Sequence, residues 1–90
     1  MSFDTDKMAA LQQRFVASIG DQAERIEALL DGGDLEGVRV LAHGLAGRSG
    51  MFGFAELGEM ARQVDEADPA ALGDRAHELL GALRRVSQPG

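Results

Sequence analysis

Cysteine is absent from the 90-residue chain, which excludes disulfides and thiolate-bound metals. That absence suits the cytoplasm, the localisation expected here. Tyrosine and tryptophan are also absent, threonine occurs once, and no segment alternates apolar and polar residues, so strand signals are lacking. No apolar run approaches the roughly 20 residues of a membrane span. Residues 1–8 carry three charges and no apolar stretch, which argues against a secretory signal. Basic residues are few: nine Lys and Arg face fifteen Asp and Glu, a net charge of −6. Phosphate backbones and anionic lipid surfaces are held by clustered Lys and Arg, so neither nucleic acid nor a membrane is an expected partner.

What the chain does have is helical spacing throughout, on a composition that is 44% hydrophobic and 27% charged. Its length suits one domain, residues 1–90, with a small core. Met8, Leu11, Phe15, Ile19, Ile26 and Leu30 recur three, four or seven apart and predict one long helix from about Thr5 to Asp31. Asp4 or Thr5 is placed to cap its start, and Gly32-Gly33 ends it. Gly20 is the point where this helix would bend. Were it to break there, a short independent helix beside three others is the alternative. Asp34 caps a second helix carrying Leu35, Val38, Leu41, Leu45 and Phe52, which Gly53 breaks. A third carries Phe54, Leu57, Ala61 and Val64. Asp68-Pro69 restarts the chain into a fourth, with Leu72, Ala76, Leu79, Leu83 and Val86. The expected fold is an all-α, antiparallel up-down-up-down four-helix bundle over about residues 5–87, followed by a frayed tail, 88–90.

The second helix does not read as plain scaffold. Gly37, Gly44, Gly47 and Gly50 lie inside it, and each should cost roughly 0.5–1 kcal/mol relative to Ala. At 100° per residue, Leu41 and Leu45 fall about 160° to either side of His43, and Phe52 about 180° away. His43 should therefore face water. Gly47 lies about 40° and Gly50 about −20° from it, with Gly44 flanking at about 100°. The imidazole thus stands on a face with little side-chain cover, where a partner's backbone can approach. A neutral imidazole nitrogen is nucleophilic near pH 7 and can accept a phosphoryl group without a strong base. Were the glycines a loop instead, the helix would end near Leu41. The unbroken register of Val38, Leu41, Leu45 and Phe52 favours helix. His77 has no such surroundings and reads as a surface or boundary residue. Two histidines without a third fixed ligand make a poor metal site, so none is expected. Ser49, near the core edge, lacks a base and reads as small-residue packing.

The stretch His43-Gly-Leu45-Ala-Gly47-Arg-Ser49-Gly-Met-Phe52-Gly53 resembles the signature of histidine-containing phosphotransfer domains, His-x-Leu-Lys-Gly-x-Ser-x-x-apolar-Gly. Ala42, Gly33-Asp34, Phe54-x-x-Leu57 and Val64-Asp65 also fit, so the resemblance spans residues 11–86. It implies a four-helix bundle that shuttles phosphate between His43 and an Asp of a receiver domain, with magnesium and most of the catalysis on the receiver. The chain itself then needs no cofactor and has no kinase activity, and no nucleotide-binding loop is present. The implied partners are response-regulator receiver domains, with a hybrid histidine kinase as a further candidate.

One departure stands out: Ala46 occupies the place of the family's Lys. Arg48 falls at about 140° on the wheel, towards the core edge, whereas Arg39 lies one turn before His43 at about −40°. Arg39 is thus the expected substitute cation for the phosphoryl group. Asp65 sits where the family often has Glu or Gln, which implies a hydrogen bond to one ring nitrogen. Val40 and Met51, at about 60° and 80° from His43, form with Gly44, Gly47 and Gly50 the expected docking patch. The expectation is a monomeric phosphorelay intermediate. The alternatives are a helical adaptor that binds partners without carrying phosphate and, more distantly, the dimerisation helices of a histidine kinase.

Overall fold

The computed structural model describes residues 3–87, with side chains from Asp6 onward. Four helices fill them: α1 (Phe3–Asp31), α2 (Leu35–Met51), α3 (Ala55–Glu66) and α4 (Pro69–Ser87). No strand occurs among the described residues. The tail expected to fray, residues 88–90, lies outside them. α1 runs without interruption through Gly20, so the three-helix alternative does not apply. It also starts earlier than expected. Asp4 and Thr5, the expected caps, lie inside its first turn rather than ahead of it.

Two of the connections have the same chemistry. After α1, the amide of Asp34 donates to the carbonyl of Leu29 (2.8 Å) and that of Gly33 to Leu30 (3.1 Å). After α2, Phe54 donates to Ser49 (2.8 Å) and Gly53 to Gly50 (3.4 Å). Both are Schellman ends, which place one residue in the left-handed region. Glycine occupies it each time, Gly33 at φ 72° and Gly53 at φ 88°. The Asp34 carboxylate then accepts from the Gly37 amide (2.9 Å) and caps α2. A Cβ at Gly37 would lie 2.7 Å from that carboxylate and 2.9 Å from the tip of the Leu29 side chain, so any larger residue there would make these two side chains shift.

The core takes Phe15, Ile19, Ala23 and Ile26 from α1, Val38, Ala42 and Leu45 from α2, and Leu57, Ala61 and Val64 from α3. Leu72, Ala76, Leu79, Leu80, Ala82 and Leu83 of α4 complete it. Full burial of each Leu, Ile or Val contributes about 1.5–3 kcal/mol before entropy is counted. Phe15 closes one end, its ring 5.4 Å from Phe52 and 5.6 Å from Phe54. α2 packs most extensively on α3, and α1 on α4. Met8 and Leu11, at the head of the α1 stripe, are exposed, as is Val86 at the end of α4. The 29 residues of α1 against 17 in α2 explain the first two. At about 1.5 Å per residue the start of α1 projects beyond its neighbour.

Candidate functional site

The side chains of α2 divide around its axis in a way that determines the site. Val38, Ala42, Leu45 and Ser49 are the buried ones. On the wheel they centre about 130° from His43, not 180°. Leu41 and Phe52 are half-buried, and Arg48, expected towards the core edge, is exposed in the last turn. The helix is therefore rolled by about 50° from the orientation its large apolar residues predict. The roll is set by α3. Gly58 of α3 lies so close to α2 that a Cβ on it would stand 3.3 Å from the Ala46 carbonyl oxygen and 3.4 Å from the Gly50 nitrogen. Ser49, wholly buried in the same contact, packs as a small residue, its hydroxyl without a partner among the described residues.

This roll brings one edge of the His43 face up to the end of α3. His43 Nδ1 stands 2.8 Å from Asp65 Oδ2, while the imidazole side chain remains 78% exposed and that of Asp65 only 26%. An ionised carboxylate only accepts, so Nδ1 carries the proton. In the neutral ring Nε2 is then left with the free lone pair. The hydrogen bond to Asp65 raises the His43 pKa above its ordinary value; the carboxylate's charge adds to this, and slight desolvation opposes it.

Arg39, one turn before His43, also reaches α3. Its Nη1 donates to the carbonyl of Asp65 and its Nη2 to that of Ala67 (2.8 Å). Glu36 lies 4.0 Å from its Nε. The expected free cation beside the ring is thus a guanidinium engaged on the C-terminal carbonyls of α3. Glu36, Arg39, Val40, His43 and Asp65 line a shallow concavity of about 250 Å³. A larger one, about 470 Å³, lies between Phe54, Leu57 and Met60 of the α3 region and Ala82, Arg85 and Val86 of α4. It shares no residue with the surroundings of His43.

On the other side of the ring the surface is open. A Cβ at Gly44, Gly47 or Gly50 would meet nothing within 4 Å. Val40 and Met51 are 68% and 64% exposed, the two most exposed large apolar residues among those described. His77 lies elsewhere, on the surface of α4, its Nδ1 donating to the Gly73 carbonyl (2.8 Å). Gly58 is the residue that sequence reasoning passed over. A glycine inside α3, with no turn to require it, was the available signal.

The Hpt domain family model matches residues 10–88, nearly the span of the resemblance read from the sequence. The chain belongs to the Hpt domain family. Hpt domains carry phosphoryl groups in two-component signalling, and are phosphocarriers rather than catalysts. They work with receiver domains and histidine kinases. No curated protein and no solved structure matches the chain. None of the helices of this Hpt domain, over the described residues, is long and apolar enough to cross a membrane.

Proposed function

We propose that His43 is the phosphoacceptor, taking a phosphoryl group from an aspartyl-phosphate on one receiver domain and giving it to an Asp of another. The observation that supports this most directly is the pairing of His43 Nδ1 with Asp65, which leaves Nε2 as the unpaired nitrogen of a ring that is 78% exposed. In the transfer, the Nε2 lone pair attacks phosphorus, an N–P bond forms, and the acyl P–O bond breaks with its electron pair leaving on the receiver carboxylate. The proton on Nδ1 stays in place. The ring becomes cationic as the bond forms, and Asp65 lies beside that charge. The reverse sequence delivers the group onward.

In this reading the receiver, not this chain, supplies magnesium and the remaining charge neutralisation. Its own share is positioning. Gly44, Gly47 and Gly50 let the receiver's backbone approach, and Val40 and Met51 offer apolar contact beside them. The direct test mixes the full chain with a receiver carrying radiolabelled aspartyl-phosphate. Acid-labile label should enter the wild-type chain and not His43→Gln. Receiver binding with no label in the wild-type chain would mark a helical adaptor that carries no phosphate.

A further inference from the structure

The end of α3 is held by a residue that does not belong to it. A helix leaves its last four carbonyls without partners in its own ladder, and a basic side chain in the last turn is one common remedy. α3 has no basic residue in its last turn. It is only 12 residues long, so its ends depend on tertiary contacts. Arg39 of α2 fills the role from outside, donating through both terminal nitrogens to Asp65 and Ala67. Ala67 already has an extended backbone (ψ 146°), so the guanidinium spans the point where helix gives way to the Asp68-Pro69 connection. Such a two-pronged grip fixes position and angle together, which a single ammonium does not.

Asp65 is therefore held twice from α2. Arg39 holds its main-chain carbonyl, and His43, one turn further on, meets its carboxylate. We propose that Arg39 is a positioning residue for the phosphoacceptor: by clamping the C-terminal carbonyls of α3 it holds the Asp65 carboxylate against Nδ1 and so keeps Nε2 turned to the partner. The inference deepens the reading of His43 as the acceptor and rests on it for its functional consequence. The clamp itself is a property of the unphosphorylated chain. It assigns Arg39 a task different from screening the phosphoryl charge. Two donors already engaged on carbonyls are oriented towards α3, and the side chain is about as sheltered as that of Asp65.

The two tasks predict opposite signs in one measurement. Nitrogen NMR of the His43 ring in the full, unphosphorylated chain reports which nitrogen is protonated and where the ring titrates. The charged groups that line its concavity are Asp65 from α3 and Glu36 and Arg39 from α2. If Arg39 acts through Asp65, Arg39→Ala loosens the carboxylate, so the ring loses its Nδ1–H preference and titrates lower, as in Asp65→Asn. If Arg39 acts as a free nearby cation, its removal makes the ring titrate higher. Repeating the comparison with Glu36→Gln removes the charge that Arg39→Ala would release.

Transfer from a phosphorylated receiver should fall about tenfold or more in Arg39→Ala, the scale on which misplacement of a reacting group acts. It should fall little further when Asp65→Asn is added, because both changes break one linkage. Arg39→Lys should restore the ring signature only in part. Should Arg39→Ala fail to fold, Arg39→Gln and Arg39→Lys carry the same comparison. A ring unchanged or titrating higher in these variants overturns the proposal. Because the ring is read without phosphate, that failure is distinct from a His43 that takes no label.

Discussion

Gly58 on α3 faces the Ala46 carbonyl on α2 at a distance that a methyl group would fit only if the helices gave by a few tenths of an ångström: a Cβ would stand 3.3 Å from the oxygen. The opposing atoms, the Ala46 oxygen and the Gly50 nitrogen, are backbone and cannot turn aside as a side-chain tip would. Gly58→Ala should therefore push the helices apart, at a cost of about 1–3 kcal/mol for overpacking, less the gain in helix propensity. Denaturant unfolding measures the loss. The same variant should weaken the Nδ1–H signature of His43, since Asp65 rides on the displaced helix.

The exposed glycines of α2 should behave in the opposite way. Positions 44, 47 and 50 are helical and have open space where a Cβ would go. Gly47→Ala should raise stability by about 0.5–1 kcal/mol, as Ala does in an exposed helix interior. Gly53→Ala should lower it by about 1–2 kcal/mol, because φ 88° is the left-handed region. Receiver-dependent transfer should be unaffected at Gly53 relative to folded protein. At position 47 it should fall, about tenfold for Gly47→Leu if docking loses roughly 1.4 kcal/mol. A bulky residue there that left transfer intact would remove the docking role from the glycine face.

Asp65 sets how the site responds to pH. Its carboxylate raises the His43 pKa, so the neutral ring, the form able to attack, appears at a higher pH than for an ordinary imidazole. Transfer to His43 should rise with pH through that raised pKa. In Asp65→Asn the inflection should move down towards the ordinary value of 6.5, and the plateau should be lower because the ring tautomer is less restricted. Stability follows the same linkage. Because the folded pKa is the higher one, the contribution of the pair is complete below the unfolded value and is lost as pH rises through the folded value. The stability gap between wild type and Asp65→Asn should thus be wider at pH 6 than at pH 9. Unfolding at the two pH values tests the sign.

Much of this was legible from residue order. Four helices, their approximate limits and both glycine ends follow from period and turn chemistry, which are local. Exposure of His43, Val40 and Met51 follows from their position on the α2 wheel. The roll of α2 was not legible. A wheel weights large apolar residues, so Leu41 and Phe52 drew the expected core direction towards themselves, and both prove half-buried. The buried face is completed by Ala42 and Ser49, small residues that carry little hydrophobic signal. The projecting start of α1 escaped for a related reason. Met8 and Leu11 keep the period, but whether they are buried depends on how far the neighbouring helix extends.

The helices, their ends and a histidine on a face cleared of side chains are readable from residue order, because each of these depends on residues within a turn or two of one another. The family resemblance implied Asp65 as the partner of that histidine, but how the two come together is a matter of helix packing. The close approach at Gly58 sets the roll of α2, and the roll sends both His43 and Arg39 to the end of α3. Asp65 lies 22 positions from His43 in the chain, and their 2.8 Å contact exists because two helices pack at one particular angle and depth. No local pattern encodes that angle. It comes from the fit of small residues against backbone across the interface.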